Sequence, residues 1–402
     1  MNYRKQRGKT TGQFDTKVAN YVFWRKPPKR QGPRSAVRVR AGIGGMFIKA
    51  ESGDTMPMRF VSTVVVFVIA FVATLPARQS PSAANLDRLR GRIEAAMTPA
   101  QGLVGVAVKH LESGVSLSVN GDEPFPMAST FKLPVLVELH AMAKAGQLNW
   151  QERIEVTSKD QHLGSGDITP LFDPPGLAMS MRNMANLMMM ISDNSAADIC
   201  LARAGAAKVT ARMRSLGIQG IRVDRSCQEL ILDFQGRDTA RLKDLARDDL
   251  REALRREPRQ LQGLEARFKA DDRVAADPRD NATPNAMVML LEKMWRGEAV
   301  DRAASDAMLE LLKRCRTGGN RIPGLLPGGT VVAHKTGTLG GVVDDVGIVY
   351  LPNGAGHVAI AVMSKRTRAP LEEVERTLAH IARYAYDYFL FTAEATAKPS
   401  AE

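Results

Sequence analysis

The alternation of apolar and polar residues predicts strands at both ends of the folded part of the chain, with helices between them. Apolar residues at helical spacing indicate an amphipathic helix over Ala83–Met97, followed by strands over Leu103–His110 and Val115–Val119. Near the C-terminus the pattern predicts three more strands and a last helix: Thr330–Thr336, Val346–Leu351, His357–Ser364 and Leu371–Phe391.

This order of elements favours an α/β (α+β) fold, in which an antiparallel five-stranded sheet from both chain ends is flanked by helices. We expect one folded domain over residues 84–392, with an all-helical subdomain inserted at about 125–325. Residues 238–280 are rich in charge and poor in apolar residues, which predicts an excursion on the surface.

Most of the positive charge lies ahead of this domain. The 402 residues carry a net charge of +13, but residues 1–59 contain fourteen Lys and Arg against three Asp and Glu. The rest of the chain therefore carries only about +2, which removes the main support for nucleic-acid binding. We expect residues 1–59 to be a disordered basic extension or an over-extended reading frame, with the true start at Met56 or Met58.

Phe60–Leu75 is a stretch of sixteen residues without a charge. It is short for a membrane-spanning helix and typical of the apolar region of a signal peptide. We expect residues 60–77 to direct export to the periplasm or the outside of the cell. The alternative is an uncleaved anchor, which would hold the folded domain outside the cytoplasm and be the chain's contact with the membrane.

The sequence predicts neither a metal site nor a cofactor. Cys200, Cys227 and Cys315 are too few for a disulfide framework and lack the spacing of metal ligands. The chain also has no HExxH, no GxSxG and no phosphate-binding loop. At most one cysteine pair is expected in an oxidising compartment.

Ser129-Thr130-Phe131-Lys132 is the first stretch with candidate chemistry. Ser129 lies where a helix is expected to begin, and residues three apart share a helix face, so the Lys132 amine can reach the Ser129 hydroxyl. A partly desolvated lysine can take the proton of a serine and make it a nucleophile. Alone, this pattern is equally compatible with a serine that caps a helix and an ordinary surface lysine.

Two further motifs follow in order, Ser192-Asp193-Asn194 and Lys335-Thr336-Gly337. Ser-x-x-Lys, Ser-Asp-Asn and Lys-Thr-Gly together are the motif set of class A β-lactamases and penicillin-binding proteins. Gly164-Ser165-Gly166 and the stretch from Arg321 to Pro327 extend the likeness. Over roughly residues 84–392 the chain therefore resembles the class A serine β-lactamase superfamily.

The resemblance implies a role for each residue of these motifs. Ser129 attacks an activated amide carbonyl, Lys132 is the base for that step, and Ser192 passes a proton to the leaving nitrogen. Asn194 orients Lys132 and binds a substrate amide. The backbone N–H groups of Ser129 and Thr338 form the oxyanion hole. The remaining substrate-binding residues are Lys335, Thr336, Gly337 and Arg321, of which the first two and Arg321 donate to a substrate carboxylate.

The loop after the Ser-Asp-Asn helix departs from the family pattern. Class A β-lactamases carry a glutamate there that activates the deacylating water, whereas alignment of Val223–Ile231 places Cys227 at that position. A thiol is a poor base at neutral pH, so fast hydrolysis of the acyl-enzyme is in doubt. Glu229, two residues away, is the alternative candidate for the base, or else a solvated loop residue.

Two residues near these motifs have plainer interpretations. His334, next to Lys335, is expected to be a strand residue rather than a catalyst. Arg225 on the loop is expected to form a structural ion pair, with Asp233 or Asp238 as its partner.

We expect an exported, monomeric serine hydrolase whose substrates are β-lactams or D-Ala-D-Ala-like peptides. One alternative is a D,D-peptidase of cell-wall metabolism. Another is a β-lactam sensor that is acylated once and signals through an uncleaved anchor. A last alternative is a protein that keeps the fold without the chemistry.

Overall fold

The computed structural model describes residues 83–174, 176–256 and 272–397. The expectations for residues 1–59 and 60–77 fall outside these residues, as does part of the charged stretch 238–280. Within the described part of the chain, no helix is long and apolar enough to cross a membrane.

Five strands form one antiparallel sheet, as the sequence predicts. The strands are β1 (Leu103–His110), β2 (Ser116–Val119), β7 (Val332–Leu339), β8 (Val342–Tyr350) and β9 (His357–Lys365). Their order is β2-β1-β9-β8-β7, so β1 pairs with β2 on one side and with the last C-terminal strand, β9, on the other.

The hairpin of β7 and β8 is longer than its hydrophobic pattern predicts. Pairing continues through Gly337 opposite Asp344 to Leu339 opposite Val342, and Gly340 and Gly341 make the turn with positive φ angles. The hydrophobic pattern predicts a shorter β8 because Asp344 and Asp345 interrupt the apolar run, yet both aspartates are fully buried. Polar partners accommodate such buried aspartates, and Asp345 contacts His334 on β7 at 2.9 Å.

Two helices cover one face of the sheet and the helical middle covers the other. Ile93 of the helix Ala83–Met97 and Leu378 of the helix Leu371–Ala397 share a core with residues on one face of β1 and β9, while Ala107 and Ala361 face the larger core of the helical middle. The α-helices are α1 (Ala83–Met97), α2 (Lys132–Lys144), α3 (Ile168–Leu171), α4 (Met181–Met190), α5 (Asn194–Ala204), α6 (Ala206–Ser215), α7 (Cys227–Phe234), α8 (Thr239–Leu242), α9 (Arg247–Arg256), α10 (Asp272–Ala276), α11 (Pro284–Arg296), α12 (Arg302–Leu312) and α13 (Leu371–Ala397).

Two small strand pairs tie the helical middle together: β3 (Phe125–Pro126) with β6 (Asn281–Ala282), and β4 (Arg153–Val156) with β5 (Leu177–Ser180). Short 3₁₀ helices lie at Thr98–Ala100, Ala128–Phe131, Ile322–Leu325 and Pro352–Gly354. The pair β3–β6 lies directly before the segment that carries Ser129, and Met127 N donates to Asp280 O.

The charged stretch 238–280 is anchored at both of its described ends. Leu242 of α8 and Leu250 of α9 join Leu232 in a small apolar cluster. At the other end Asp277 and Asp280 turn inward to Arg225.

Candidate active site

Ser129 lies in the 3₁₀ helix Ala128–Phe131, and the α-helix begins three residues later than expected, at Lys132. Ala128 has a φ of 42° in the left-handed region, which costs a residue with a Cβ about 1 to 3 kcal/mol. Thr130 holds the turn by donating its hydroxyl to Met127 O at 2.7 Å. Ser129 is partly exposed and lines a cavity of about 300 Å³.

Lys132 is completely buried at the start of α2. Its Nζ donates to Ser192 O and Asn194 Oδ1, both at 2.8 Å, and to Ser192 Oγ at 3.2 Å. The spacing of Ser129 and Lys132 predicts a direct contact, but the three hydrogen bonds of Nζ go to the Ser-Asp-Asn motif instead. The motif residues therefore fix the amine one helical turn from the serine.

Ser192 lies between the two lysines of the motifs. It has a left-handed φ of 60°, and its Oγ accepts from Lys132 and, at 3.0 Å, from Lys335. Two donors on one hydroxyl oxygen leave the hydroxyl's own proton available for a further acceptor. Burial, followed by the charge of Lys132, lowers the pKa of the Lys335 amine to about 7.

Gly337 lets strand β7 approach the serine. A Cβ on Gly337 would lie 2.6 Å from Met127 O and 3.2 Å from Ser129 N, so a larger residue would push the strand away. Thr338 follows on the same strand and also lines the cavity. This approach brings the backbone of Ser129 and of β7 together, as an oxyanion hole requires.

Asn194 connects Lys132 to the loop above the cavity. Its Oδ1 accepts from Lys132 and from Ser165 Oγ at 3.3 Å, and its Nδ2 donates to Leu163 O at 2.8 Å. Gly164 is required in this loop because a Cβ there would lie 2.4 Å from the Asn194 amide nitrogen. One N–H of the Asn194 amide remains for a substrate.

The Arg321 guanidinium is surrounded by protein acceptors. Its side chain is buried and donates to Glu375, to Gly337 O, to Asp344 O and to Thr338 Oγ1. The guanidinium therefore holds the end of the β7–β8 hairpin together. Its expected contact with a substrate carboxylate stays a prediction, because the sequence does not show how many protein acceptors surround this arginine.

Thr336 is 6% exposed and its Oγ1 lies 2.6 Å from Thr317 Oγ1. Thr336 follows Lys335 on β7, and its expected contact with a substrate carboxylate stays a prediction.

Cys227 is the first residue of α7 and lines the cavity with Leu230, Ile231 and Phe234. Burial and the charge of Asp198 raise the pKa of its thiol well above the usual value. The side chains that line the cavity in the described part of the chain include no carboxylate. Cys227 therefore lines the cavity as a neutral thiol, which is a poor base.

Glu229 points away from the cavity and serves the helix. Its Oε2 accepts from Ser226 N at 2.9 Å while Ser226 Oγ accepts from Glu229 N, which is a capping box. Its Oε1 pairs with Lys243 at 3.1 Å. Although burial opposes it, these contacts lower the pKa of the Glu229 carboxyl. The expectation that Glu229 is a base fails on this geometry.

Arg225 forms an ion cluster below the same loop. It pairs with Asp233, as expected, and also with Asp277 and Asp280, whereas Asp238 caps α8 instead. Asp280 Oδ1 additionally accepts from the backbone N–H groups of Asp224 and Arg225, so the cluster sets the course of the loop into α7.

Several supporting residues carry no recognisable signal in the sequence. Asp198 accepts from the N–H groups of Cys227 and Gln228 and binds His162 Nδ1 at 2.6 Å, which fixes the start of α7. Asp345 holds His334 from the neighbouring strand. The partners of both residues lie on other segments of the chain, so only an assembled fold reveals them.

Comparison with known proteins places this geometry in a family. The sequence model of the beta-lactamase enzyme family matches residues 88–389. The chain is 25% identical over 320 residues to beta-lactamase VEB-1 of Pseudomonas aeruginosa, covering 77% of this chain and 93% of that protein. It is 26% identical over 291 residues to the carbapenem-hydrolyzing beta-lactamase KPC of Klebsiella oxytoca, covering 71% and 84%.

Solved structures give the same result. The ancestral class A beta-lactamase of the last common ancestor of Gram-negative bacteria matches with a TM-score of 0.61 and 25% identity, over 74% of this chain and 99% of that one. A beta-lactamase from Chitinophaga pinensis matches with the same TM-score and 25% identity, over 75% and 98%. With its serine, two buried lysines and class A fold, the chain belongs to the beta-lactamase enzyme family of serine hydrolases.

Proposed function

We propose that β-lactams acylate Ser129 and that the acyl-enzyme is hydrolysed slowly. The observation that carries this proposal is a cavity lined by Ser129 and Asn194, with Lys132 hydrogen-bonded to Asn194 and no carboxylate among the described lining residues. The names of the relatives, which act on β-lactams including carbapenems, support the substrate class.

Acylation begins when the proton of Ser129 passes to the Lys132 amine, which first gives up a proton and with it one of its three hydrogen bonds, and the serine oxygen attacks the lactam carbonyl. The N–H groups of Ser129 and Thr338 stabilise the oxyanion. Ser192 then gives its proton to the lactam nitrogen as the C–N bond breaks. A charged Lys335 next to Ser192 Oγ favours this transfer and attracts the substrate carboxylate.

Deacylation needs a base that removes a proton from water close to the ester. Cys227 lines the cavity, but its raised pKa keeps it a neutral thiol that accepts hydrogen bonds weakly. Glu229 is bound to Ser226 and Lys243. Loss of general-base catalysis typically costs a factor of about 10² to 10⁴ in rate.

The cavity also favours one kind of substrate side chain. Much of its lining is apolar, and the larger apolar residues are Leu163, Leu230, Ile231, Phe234 and Leu339. We expect penicillins and cephalosporins with aryl or alkyl acylamino groups to acylate faster than those with charged groups, because burial of apolar surface contributes about 25 cal/mol per Å².

The test is intact-mass spectrometry of the protein mixed with a penicillin, followed from seconds to hours. We expect an adduct equal in mass to the whole penicillin, which forms quickly, maps to Ser129 and persists for many minutes. A Ser129→Ala variant is the control and should give no adduct. Absence of an adduct in the wild-type protein would refute the proposed substrate class.

We further propose that the protein is exported and acts as a monomer. The charge-free segment Phe60–Leu75 behind Arg59 supports export, and a substrate-sized cavity completed by one chain supports a monomer. N-terminal sequencing of the protein recovered from cells tests the first statement, with a start near Arg78 expected. An N-terminus upstream of residue 60 would contradict cleavage and favour the anchor.

A further inference from the structure

We propose that Cys315 is a reversible thiol-modification site, in which a Cys315–His334–Asp345 cluster reacts with low-molecular-weight disulfides. The modification itself does not depend on the proposed β-lactam chemistry. Its effect on Ser129 acylation does, because a hydroxyl contact links the cluster to the catalytic strand.

The cluster is built from three segments of the chain. Cys315 follows α12, is partly exposed and has its Sγ 3.3 Å from Thr317 Oγ1. The imidazole of His334 on β7 interacts with this thiol. On the other side His334 Nδ1 lies 2.9 and 3.0 Å from the two carboxylate oxygens of Asp345, which is fully buried on β8. A thiol, an imidazole and a carboxylate in this order stabilise a thiolate.

The charges around the cluster agree with this geometry. Burial lowers the pKa of His334, but Asp345 and Cys315 outweigh it and raise the pKa to about 10. Burial raises the pKa of Cys315, but His334 and Lys335 outweigh it and bring the pKa to about 7. The groups that face the thiol are therefore His334 and Lys335, and a cationic imidazole next to it favours the thiolate at neutral pH.

The other two cysteines provide an internal contrast. Cys200 is fully buried and Cys227 is 4% exposed, and burial raises the pKa of both thiols. Only Cys315 combines access to solvent with a cationic neighbour in the described part of the chain. A thiol reagent should therefore distinguish one cysteine from two.

The reaction is thiol–disulfide exchange. The Cys315 thiolate attacks one sulfur of a disulfide R–S–S–R, a bond forms between Cys315 Sγ and that sulfur, and the S–S bond of the reagent breaks. The second sulfur leaves as the thiolate RS⁻ with the electron pair of that bond. Excess thiol reverses the exchange, so the site is reversible.

A group on Cys315 is expected to disturb the β-lactam site through Thr317. The Thr317 hydroxyl contacts Cys315 Sγ and lies 2.6 Å from the hydroxyl of Thr336, which neighbours Lys335. Displacement of Thr317 by the added group removes a partner of Thr336. We expect acylation of Ser129 to slow at least threefold in the modified protein and to recover after reduction.

The kinetic test uses 2,2′-dithiodipyridine with the full-length protein at pH 5 to 9. A thiol with a pKa near 7 holds about thirty times more thiolate at pH 6 than one near 8.5, and its lower intrinsic nucleophilicity removes about a factor of five. We therefore expect wild-type Cys315 to react about sixfold faster at pH 6 than in His334→Asn, with a rate midpoint near pH 7. Asp345→Asn, expected to shift the midpoint in the same direction, serves if His334→Asn does not fold.

Peptide mapping should find the label on Cys315 and not on Cys200 or Cys227. The Cys315→Ser variant should remain unlabelled and keep its acylation rate in the presence of the reagent. Equal labelling of the three cysteines would overturn the proposal, as would a rate midpoint that is near pH 8.5 and unchanged in both variants. Labelling of Cys315 without any change in acylation would overturn the coupling. If no β-lactam acylates even the unlabelled protein, the proposed function fails while the labelling result still decides the site.

Discussion

Replacement of Lys335 by methionine should stabilise the protein while it abolishes acylation. The Lys335 amine is fully buried, and burial together with Lys132 lowers its pKa from 10.5 to about 7. One pKa unit corresponds to 1.36 kcal/mol, so an ammonium at this position costs the folded state about 5 kcal/mol. Loss of the hydrogen bonds to Ser192 Oγ and Thr336 O offsets this gain by about 1 kcal/mol each. The acceptors that are left without a donor lower the stability further. We expect a net gain of about 2 kcal/mol below pH 7.

The sign of the pH dependence follows from proton binding. Below pH 7 the lysine is charged in both the folded and the unfolded chain, so the whole cost is present. Between pH 7 and 10.5 the unfolded chain binds the proton and the folded chain does not, so the wild-type protein regains stability as pH rises. The advantage of Lys335→Met should therefore shrink by about 2 kcal/mol between pH 7 and 8.5.

The assay is urea unfolding at pH 6.5 and 8.5 of the wild-type protein, Lys335→Met and Lys208→Met. Lys208 is exposed on α6 and is the matched control, which should show no pH-dependent difference. If the free-energy difference between Lys335→Met and the wild-type protein is the same at both pH values, the amine is not neutralised by burial and the reasoning is wrong.

Three further substitutions test the described contacts. Glu229→Ala should lower the free energy of unfolding by about 1 kcal/mol, measured by urea unfolding, because the capping box is lost. The rate of deacylation, measured by rapid quench, should stay within twofold of the wild-type rate; a large fall in this rate would restore the role of Glu229 as base. Gly337→Ala should slow acylation at least tenfold, because its methyl group would lie 2.6 Å from Met127 O. Stopped-flow with a chromogenic cephalosporin measures the acylation rate, and an unchanged rate would show that β7 need not approach Ser129 so closely. Asp280→Asn should destabilise by about 3 kcal/mol in thermal unfolding because Arg225 loses a buried partner, and a loss under 1 kcal/mol would contradict the cluster.

The strands of the five-stranded sheet could be predicted because the alternation of apolar residues is a local pattern along the chain. Alternating apolar residues in Leu103–His110 and helical spacing in Ala83–Met97 reproduce the observed β1 and α1 to the residue. Prediction fell short on β8, where Asp344 and Asp345 are buried by partners on other segments. Patterns of hydrophobicity carry no information about such partners.

The motif residues could be placed together from their order in the chain, but not their individual contacts. The sequence indicates that Lys132 reaches Ser129, whereas all three of its hydrogen bonds go to Ser192 and Asn194. Arg321 is expected to bind a substrate carboxylate, and in the structure it binds four protein acceptors. A long cationic side chain has several partners within reach, and only the fold selects among them.

The most direct test of slow turnover compares deacylation of the penicillin adduct in the wild-type protein, Cys227→Glu and Cys227→Ser. Cys227 faces the cavity at the start of α7, so a carboxylate at this position would stand beside the acyl ester and activate water. The account predicts that the adduct of Cys227→Glu decays at least a hundredfold faster than the other two, which decay alike. Rapid deacylation by the wild-type protein, undiminished in Cys227→Ser, would contradict it.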